Sequence, residues 1–421
     1  MKKNIMQNID ESKKDKVFMP NSKRRENFSP KNSEISSSPE FGMATKRLYI
    51  KTFGCQMNDR DSEALSGLLL AKGYFLAEDI DCADIVLVNT CSVRDHAESR
   101  AISFLGTFRK LPQDKVKKVL GLIGCMAQNI GETLIKKMPH INLVCGPSNL
   151  DRIPEYIEQI IKNKTKIIDL EHRPRQEEFY KNFYRAESTS AQVVISVGCS
   201  NYCSYCVVPY VRGNLYVRNP EDIIEEVKMN MDLGIQKITL LGQNVNDYQF
   251  RPSTIDHRLS TVNFVDLLRR ISDVEGVKEI DFMTSNPRNI SKELFYLMAQ
   301  RSNIKKHLHL PCQSGSDRIL KMMNRGYSRQ EYIDITESYK DIVAGTLSTD
   351  VIVGFPTETD EDFSATQEML EEVEFKGAYI FKYSPRPGTA ASKLEDDVTV
   401  EIKQQRHQLL LSFQKQISLR V

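Results

Sequence analysis

The sequence predicts an α/β protein: an N-terminal domain built as a doubly wound parallel sheet, followed by a partial (β/α)6 barrel. Two observations carry this prediction. Short Val/Ile/Leu-rich runs alternate with amphipathic segments of helical period through two separate series, and such runs are typical of parallel strands covered on both faces. A polar stretch without periodicity separates the two series and divides the 421 residues into domains of ordinary size.

Residues 1–46 are rich in Lys, Asn, Ser and Glu and poor in large apolar side chains, so they are expected to be a disordered extension. The first series begins at Arg47. Its strands are "RLYIKTFGC", "ADIVLVNTC", "KKVLGLIGC" and "INLVCG", each followed by an amphipathic helix, and they assign residues 47–160 to the first domain. Residues 161–190 read as a linker. The second series spans residues 191–418, with strands "QVVISVGC", "KITLLGQNV", "EIDFMTS", "HLHLPCQ", "LSTDVIVGF" and "GAYIFKYSP". Six βα units fall short of the eight that close a barrel, which leaves a wide mouth suited to a large substrate.

Composition narrows the class. Apolar residues make up 40% and charged residues 27%, the balance of a soluble globular chain. No apolar run approaches the roughly 20 residues of a membrane span, and the N-terminus lacks the apolar core of a secretory signal. The net charge of +2 gives no whole-chain argument for nucleic acid, so RNA contact would need local basic patches. Nine cysteines, several inside apolar runs, point to metal ligands or catalytic thiols in a reducing, cytoplasmic setting.

The stretch "VGCSNYCSYCVVPYVRG" places Cys199, Cys203 and Cys206 just after the first barrel strand, at the end where barrel active sites gather. Three thiolates can bind three irons of a [4Fe–4S] cube and leave the fourth open. A structural zinc with a distant fourth ligand is the competing reading, although zinc sites usually come as paired Cys-x2-Cys. Cys55, Cys91 and Cys125 each fall at the end of a strand of the first series, where open α/β sheets bind ligands, and could converge as a second trio. Ordinary buried thiols are the alternative for each. Cys145 is a spare at a fourth strand end, and Cys82 lies in a loop.

With Tyr205 as its aromatic, the pattern Cys-x3-Cys-x-aromatic-Cys resembles the cluster motif of the radical S-adenosylmethionine enzymes. The resemblance implies that the open iron binds the amino and carboxylate groups of S-adenosylmethionine, which one electron splits into methionine and a 5′-deoxyadenosyl radical. "TFGCQMNDRDSE", "VNTCSVRDHAESRA" and "IGCMAQ" resemble the N-terminal domain of the methylthiotransferases. The likeness continues through "LLGQNVNDY", "LHLPCQSGSDRILKMMNRGYSRQEY", "STDVIVGFPTETDEDF" and "YSPRPGTAAS".

That family implies an auxiliary [4Fe–4S] cluster on Cys55, Cys91 and Cys125, hence two clusters, and two uses of S-adenosylmethionine. "CQMND" and "NTCSVRDHAE" are most similar to the branch that places a 2-methylthio group on tRNA carrying isopentenyladenosine at position 37. Such an enzyme needs an electron donor such as flavodoxin or ferredoxin, a sulfur source and no membrane. The family's C-terminal RNA-binding (TRAM) domain is expected to be absent from this chain, which stops at Val421.

Gln243, Asn244, Gln313, Asp350 and Gly354 lie at barrel strand ends and, with Tyr205, are the expected cofactor contacts. Each polar one could equally be a satisfied strand-end residue. Ser314 has the same standing, Arg212, Arg218 and Arg325 are candidate phosphate or base contacts, and His307 and His309 share one strand face. Two other functions compete: a methylthiotransferase for threonylcarbamoyladenosine or a ribosomal protein, and a non-catalytic iron–sulfur electron carrier.

Overall fold

The computed structural model describes residues 46–93, 95–110, 118–173, 177–182, 184, 189–252, 261–283 and 285–421. The extension expected to be disordered lies outside them, apart from Lys46. The chain divides into two compact units, 1–186 and 187–421.

In the first unit, strands β1 (Arg47–Phe53), β2 (Phe75–Leu76), β3 (Ile85–Thr90), β4 (Val119–Ile123), β5 (Leu143–Cys145) and β6 (Ile167–Asp169) make one sheet in the order β2-β1-β3-β4-β5-β6. Every pairing is parallel. Helices α1 (Gln56–Ala71), α2 (Asp95–Thr107), α3 (Cys125–Lys137) and α4 (Ile153–Asn163) alternate with the strands. All six residues of β3 are buried, which is why it opens with four consecutive apolar residues, Ile85 to Val88, rather than an alternating pattern. The chain direction across the sheet reverses between β1 and β3, the switch point where such sheets open a crevice at the strand C-termini.

The stretch read as a linker is in part built into this unit. β6 extends the sheet beside β5. Phe179 and Tyr180 are buried; the Tyr180 hydroxyl donates to Asp61 Oδ1 (2.8 Å), and its carbonyl accepts from Arg60 Nη2 (2.7 Å). A strand of three residues between lysines and acids is too short to show a period.

In the second unit the helices are α5 (Val208–Arg212), α6 (Pro220–Asp232), α7 (Phe264–Ser272), α8 (Lys292–Gln300), α9 (Asp317–Met322), α10 (Arg329–Val343), α11 (Asp360–Val373) and α12 (Val400–Ser418). Its strands are β7 (Ala191–Val194), β8 (Ser196–Val197), β9 (Tyr216–Val217), β10 (Lys237–Leu241), β11 (Gln249–Phe250), β12 (Val262–Asn263), β13 (Glu279–Phe282), β14 (His307–His309), β15 (Thr346–Val353) and β16 (Gly377–Lys382). Six of them form the expected partial barrel as two parallel arrays, β13-β10-β7 and β14-β15-β16. Backbone bonds from Ile280 N to Asn303 O (2.7 Å) and from Lys305 N to Ile280 O (3.0 Å) join the arrays. β8 and β9 pair as a short antiparallel hairpin, as do β11 and β12.

Strand alternation sorts the two faces. Leu308, Leu347 and Val351 enter the core, so His307, His309, Ser348 and Asp350 occupy the other face. There both ring nitrogens of His307 reach hydroxyls, Thr346 Oγ1 (2.8 Å) and Ser348 Oγ (2.9 Å). His309 joins Ser348 Oγ (2.9 Å) to Asp350 Oδ2 (3.4 Å).

The last helix is tied to the end of β15 by charge. Arg406 Nη1 donates to Glu358 Oε2 (2.7 Å) and Nη2 to Asp360 Oδ1 (2.7 Å). Burial raises the Glu358 carboxyl, while the Gly354 amide and Arg406 oppose that rise. Removing one partner of a buried pair strands the other. Arg406→Leu is therefore expected to cost roughly 3–5 kcal/mol at pH 8 in denaturant melts. Without Arg406 the folded-state pKa of Glu358 rises further above its unfolded value, so the loss should shrink as pH falls toward 5 and the carboxyl takes a proton. Equal losses at both pH values would show that Glu358 is not the stranded charge.

Candidate functional site

The first thiol trio follows from register. β1, β3 and β4 are neighbours, Phe53 pairs with Thr90, and Asn89 pairs with Ile123. One residue beyond Thr90, Cys91 is therefore level with Gly54 and Cys125, and Cys55 follows as the N-cap of α1. The Cys91 amide donates to Phe53 O (3.0 Å). Gly54 has φ +130°, and a Cβ there would lie 2.2 Å from Cys91 Cβ, so only glycine lets the two strand ends come this close.

The thiols of Cys55 and Cys91 share a hydrogen bond. That bond, burial and the nearby Cys125 hold the Cys91 thiol well above its usual range. Cys91 and Cys125 are 1% and 2% exposed. Cys55 and Cys125 stand at the N-termini of α1 and α3, whose free amides favour a thiolate. Among the described residues, no three His, Cys, Asp or Glu side chains gather tightly enough to hold one metal ion, which a structural zinc would need. A [4Fe–4S] cluster takes each thiolate on a different iron, and these all-sulfur donor sets suit it. Cys145 is engaged elsewhere, its thiol donating to Gly146 O (3.5 Å) and Asn149 O (3.4 Å), and Cys82 is exposed.

The second trio sits on one loop, closed by the β8/β9 hairpin. The Cys199 amide donates to Gly213 O (3.2 Å), and Cys206 N to Cys203 O (2.9 Å). Asn201 Nδ2 donates to both Cys199 Sγ (3.4 Å) and Asp247 Oδ2 (2.7 Å). Burial, then the charge of Cys203, pushes the Cys206 thiol up to about 12, and burial also raises Cys199. Tyr205 packs against the cluster of Ile319, Met323, Phe355 and Tyr383.

The other expected contacts divide. Gln243 Oε1 accepts from Gly198 N (2.5 Å) and so fixes the entry to the cysteine loop. Asn244 is buried; its Oδ1 accepts from Asn286 N (3.1 Å), and its Nδ2 has no hydrogen-bond partner among the described residues. That orphaned donor, at the end of β10, is the feature a polar cofactor would satisfy. Gln313 has φ +70° and carries the ladder past β14, donating from N to Asp350 O (2.8 Å) and accepting from Ile352 N (2.9 Å). Asp350 lies on the face of His309.

Gly354 has φ +69°, its amide donates to Glu358 Oε2 (2.6 Å), and a Cβ would lie 2.3 Å from Lys403 Cγ. The packing of α12 therefore requires glycine there. Ser314 is turned to α11 through Thr366 Oγ1 (3.4 Å). Arg212 is buried in α5. Arg218, read as a phosphate contact, is instead a buried structural cation bonded to Val194 O (2.7 Å) and Glu226 Oε2 (2.7 Å). Arg325 is likewise buried, with Nη1 3.2 Å from Cys203 Sγ. The supporting residues Asn201, Asp247 and Asn324 are not singled out by sequence reasoning; the density of Asn and Asp in "GQNVND" is a signal for Asp247, and Asn201 and Asn324 carry none.

No helix among the described residues is long and apolar enough to cross a membrane. Residues 47–146 match the family described as "Uncharacterized protein family UPF0004", and residues 193–370 match the radical SAM superfamily. The chain is 40% identical over 391 residues to the tRNA-2-methylthio-N(6)-dimethylallyladenosine synthase of Syntrophus aciditrophicus, covering 92% of this chain and 84% of that protein. The protein of the same name from Acetivibrio thermocellus is also 40% identical, over 94% of this chain and 82% of its own length. Among solved structures, the radical S-adenosylmethionine methyltransferase TsrM from Kitasatospora setae has a similar fold, with TM-score 0.59 and 14% identity over 83% of this chain and 77% of its own.

The geometry of the first trio is open to a direct check. Mild oxidation of the metal-free protein should crosslink Cys55 to Cys91, seen by peptide mass mapping without reductant. Gly54→Ala should lower the yield severalfold by forcing the strand ends apart; an unchanged yield would contradict the close approach.

Proposed function

Because the chain belongs to the tRNA-2-methylthio-N6-dimethylallyladenosine synthase family of radical S-adenosylmethionine enzymes, we propose that it adds a 2-methylthio group to N6-isopentenyladenosine at position 37 of tRNA, next to the anticodon. The observation that carries this reading is that a trio of thiols, Cys55, Cys91 and Cys125, gathers at the β1/β3 switch point in addition to the trio on the cysteine loop. Transfer of a methylated sulfur needs a sulfur held apart from the group that activates the substrate, and one trio cannot do both.

In this reading Cys199, Cys203 and Cys206 hold one [4Fe–4S] cluster and leave an iron for S-adenosylmethionine, and Cys55, Cys91 and Cys125 hold the other. When bound, these groups supply one-electron chemistry and a methyl donor, which an aryl C–H such as adenine C2 requires because no side-chain base can deprotonate it. The chain's own residues bind and orient. Gln243 fixes the cysteine loop. The Asn244 amide offers an unused donor to the cofactor, and Gln313 and Asp350, joined to each other by a backbone bond, offer further polar groups. Two molecules of S-adenosylmethionine are used per product, electrons come from a flavodoxin- or ferredoxin-type protein in the cytoplasm, and a separate source replaces the sulfur.

Nucleoside mass spectrometry decides it. Expressed in cells lacking their own methylthiotransferase, the chain should yield 2-methylthio-N6-isopentenyladenosine in digested tRNA. Cys203→Ala and Cys91→Ala should each abolish the peak. A methylthio group on threonylcarbamoyladenosine instead would sink the substrate assignment and keep the chemistry. Two clusters that never cleave S-adenosylmethionine under reduction would favour an electron carrier.

A further inference from the structure

Arg325 is a buried cation, and among the described residues no carboxylate pairs with it; the groups that act on its charge are Tyr205, Tyr327 and Cys203. Burying an unpaired guanidinium is costly, so its counter-charge must lie close by. Its three donor nitrogens are all placed: Nε on the Tyr327 hydroxyl (3.0 Å), Nη2 on Pro311 O (3.0 Å) and Nη1 on Cys203 Sγ (3.2 Å). The Tyr327 hydroxyl in turn donates to Cys312 O (2.8 Å), which fixes the fork from behind.

The segment that carries Arg325 also grips the cysteine loop. Met323 O accepts from Ser204 N (3.0 Å), and Asn324 Nδ2 donates to Tyr202 O (3.0 Å). Asn324 (φ +57°) and Gly326 (φ +73°) are both left-handed, so the backbone bends sharply on either side of the arginine. The three cysteines are thus unequal. Cys203 receives a charged donor, whereas Cys199 receives the neutral amide of Asn201 at the longer 3.4 Å.

We propose that Arg325 is a positioning residue for electron entry: its guanidinium donates a charged hydrogen bond to the Cys203 thiolate and holds the cluster on Cys199, Cys203 and Cys206 at a less negative reduction potential. Hydrogen bonds to cluster sulfurs and nearby charge are what set such potentials, and a charged donor in a buried site acts more strongly than a neutral one. Reduction adds one negative charge beside a fixed positive one, so the reduced state gains more from Arg325 than the oxidised state does. The unmatched cation becomes matched when the thiolates and the added electron are present. The inference rests on the reading that this trio holds a [4Fe–4S] cluster.

The test uses the full chain carrying C55A/C91A/C125A, so that a single cluster is read, with R325K, R325Q and R325M compared against that parent. Each is reconstituted anaerobically with iron and sulfide and titrated with dithionite while the reduced cluster is followed by electron paramagnetic resonance. R325Q and R325M should shift the reduction equilibrium at least tenfold toward the oxidised form, about 59 mV more negative for a one-electron couple. R325K, which keeps the charge but not the fork, should shift it less. An unchanged potential in R325Q with its iron content intact overturns the proposal. If R325M loses its iron, R325K and R325Q decide. Loss of iron in all three would make Arg325 a scaffold residue and overturn the assignment. A parent that binds no [4Fe–4S] cluster at all would instead defeat the reading of the three cysteines, and this inference with it.

Discussion

Parallel strands deliver every loop that follows them to the same edge of a sheet, and both thiol trios depend on that constraint. In the first unit it acts through strand order: β1, β3 and β4 lie side by side, so the residues after them meet at one height although more than thirty positions separate each from the next. The pairing of Phe53 with Thr90 and of Asn89 with Ile123 sets that height. A slip of one residue would turn every side chain to the other face and scatter the thiols.

Bringing thiols together in a buried place has an electrostatic consequence. Cys91 and Cys206 are both held far above the ordinary thiol range, the first by its bond to Cys55 and the second by burial. Without a metal these groups are neutral and tolerate one another; a bound metal has to replace their protons, so loading is coupled to proton release. Local features favour the thiolate form once metal is present: the N-termini of α1 and α3 in the first unit, and in the second the charge of Arg325 acting on Cys206.

The two trios reach the same donor set by different routes. The first gathers from three strands and needs close backbone approach, which Gly54 supplies. The second lies on one loop, where spacing alone brings the sulfurs near but does not fix them. Fixation comes from outside the loop: Gln243 on Gly198, Asp247 through Asn201, and the Met323–Arg325 segment on Ser204, Tyr202 and Cys203. Tyr202, at φ +48°, adopts a conformation disfavoured for a side chain of its size, and the bond from Asn324 to its carbonyl helps hold it.

The sequence by itself determined what is periodic or local. Apolar runs alternating with amphipathic helices dictate parallel strands, because only such sheets bury both strand faces, and the Cys-x3-Cys-x2-Cys spacing keeps three thiols on one turn of chain. Cysteines at successive strand ends were legible for the same reason. The tertiary structure alone decided which distant groups meet. β6 and Tyr180 joined the first unit from a stretch whose composition reads as a linker, since three residues carry no period and the bond of Arg60 to Tyr180 spans 120 positions. Gly354 serves Lys403 and Glu358 of the α12 contact, Arg218 serves Glu226, and Arg325 serves Cys203, 122 positions away. An arginine or glycine looks the same in sequence whether it faces a ligand, a helix or a thiol; the packing of elements far apart in the chain supplies its neighbour, and the neighbour fixes its role.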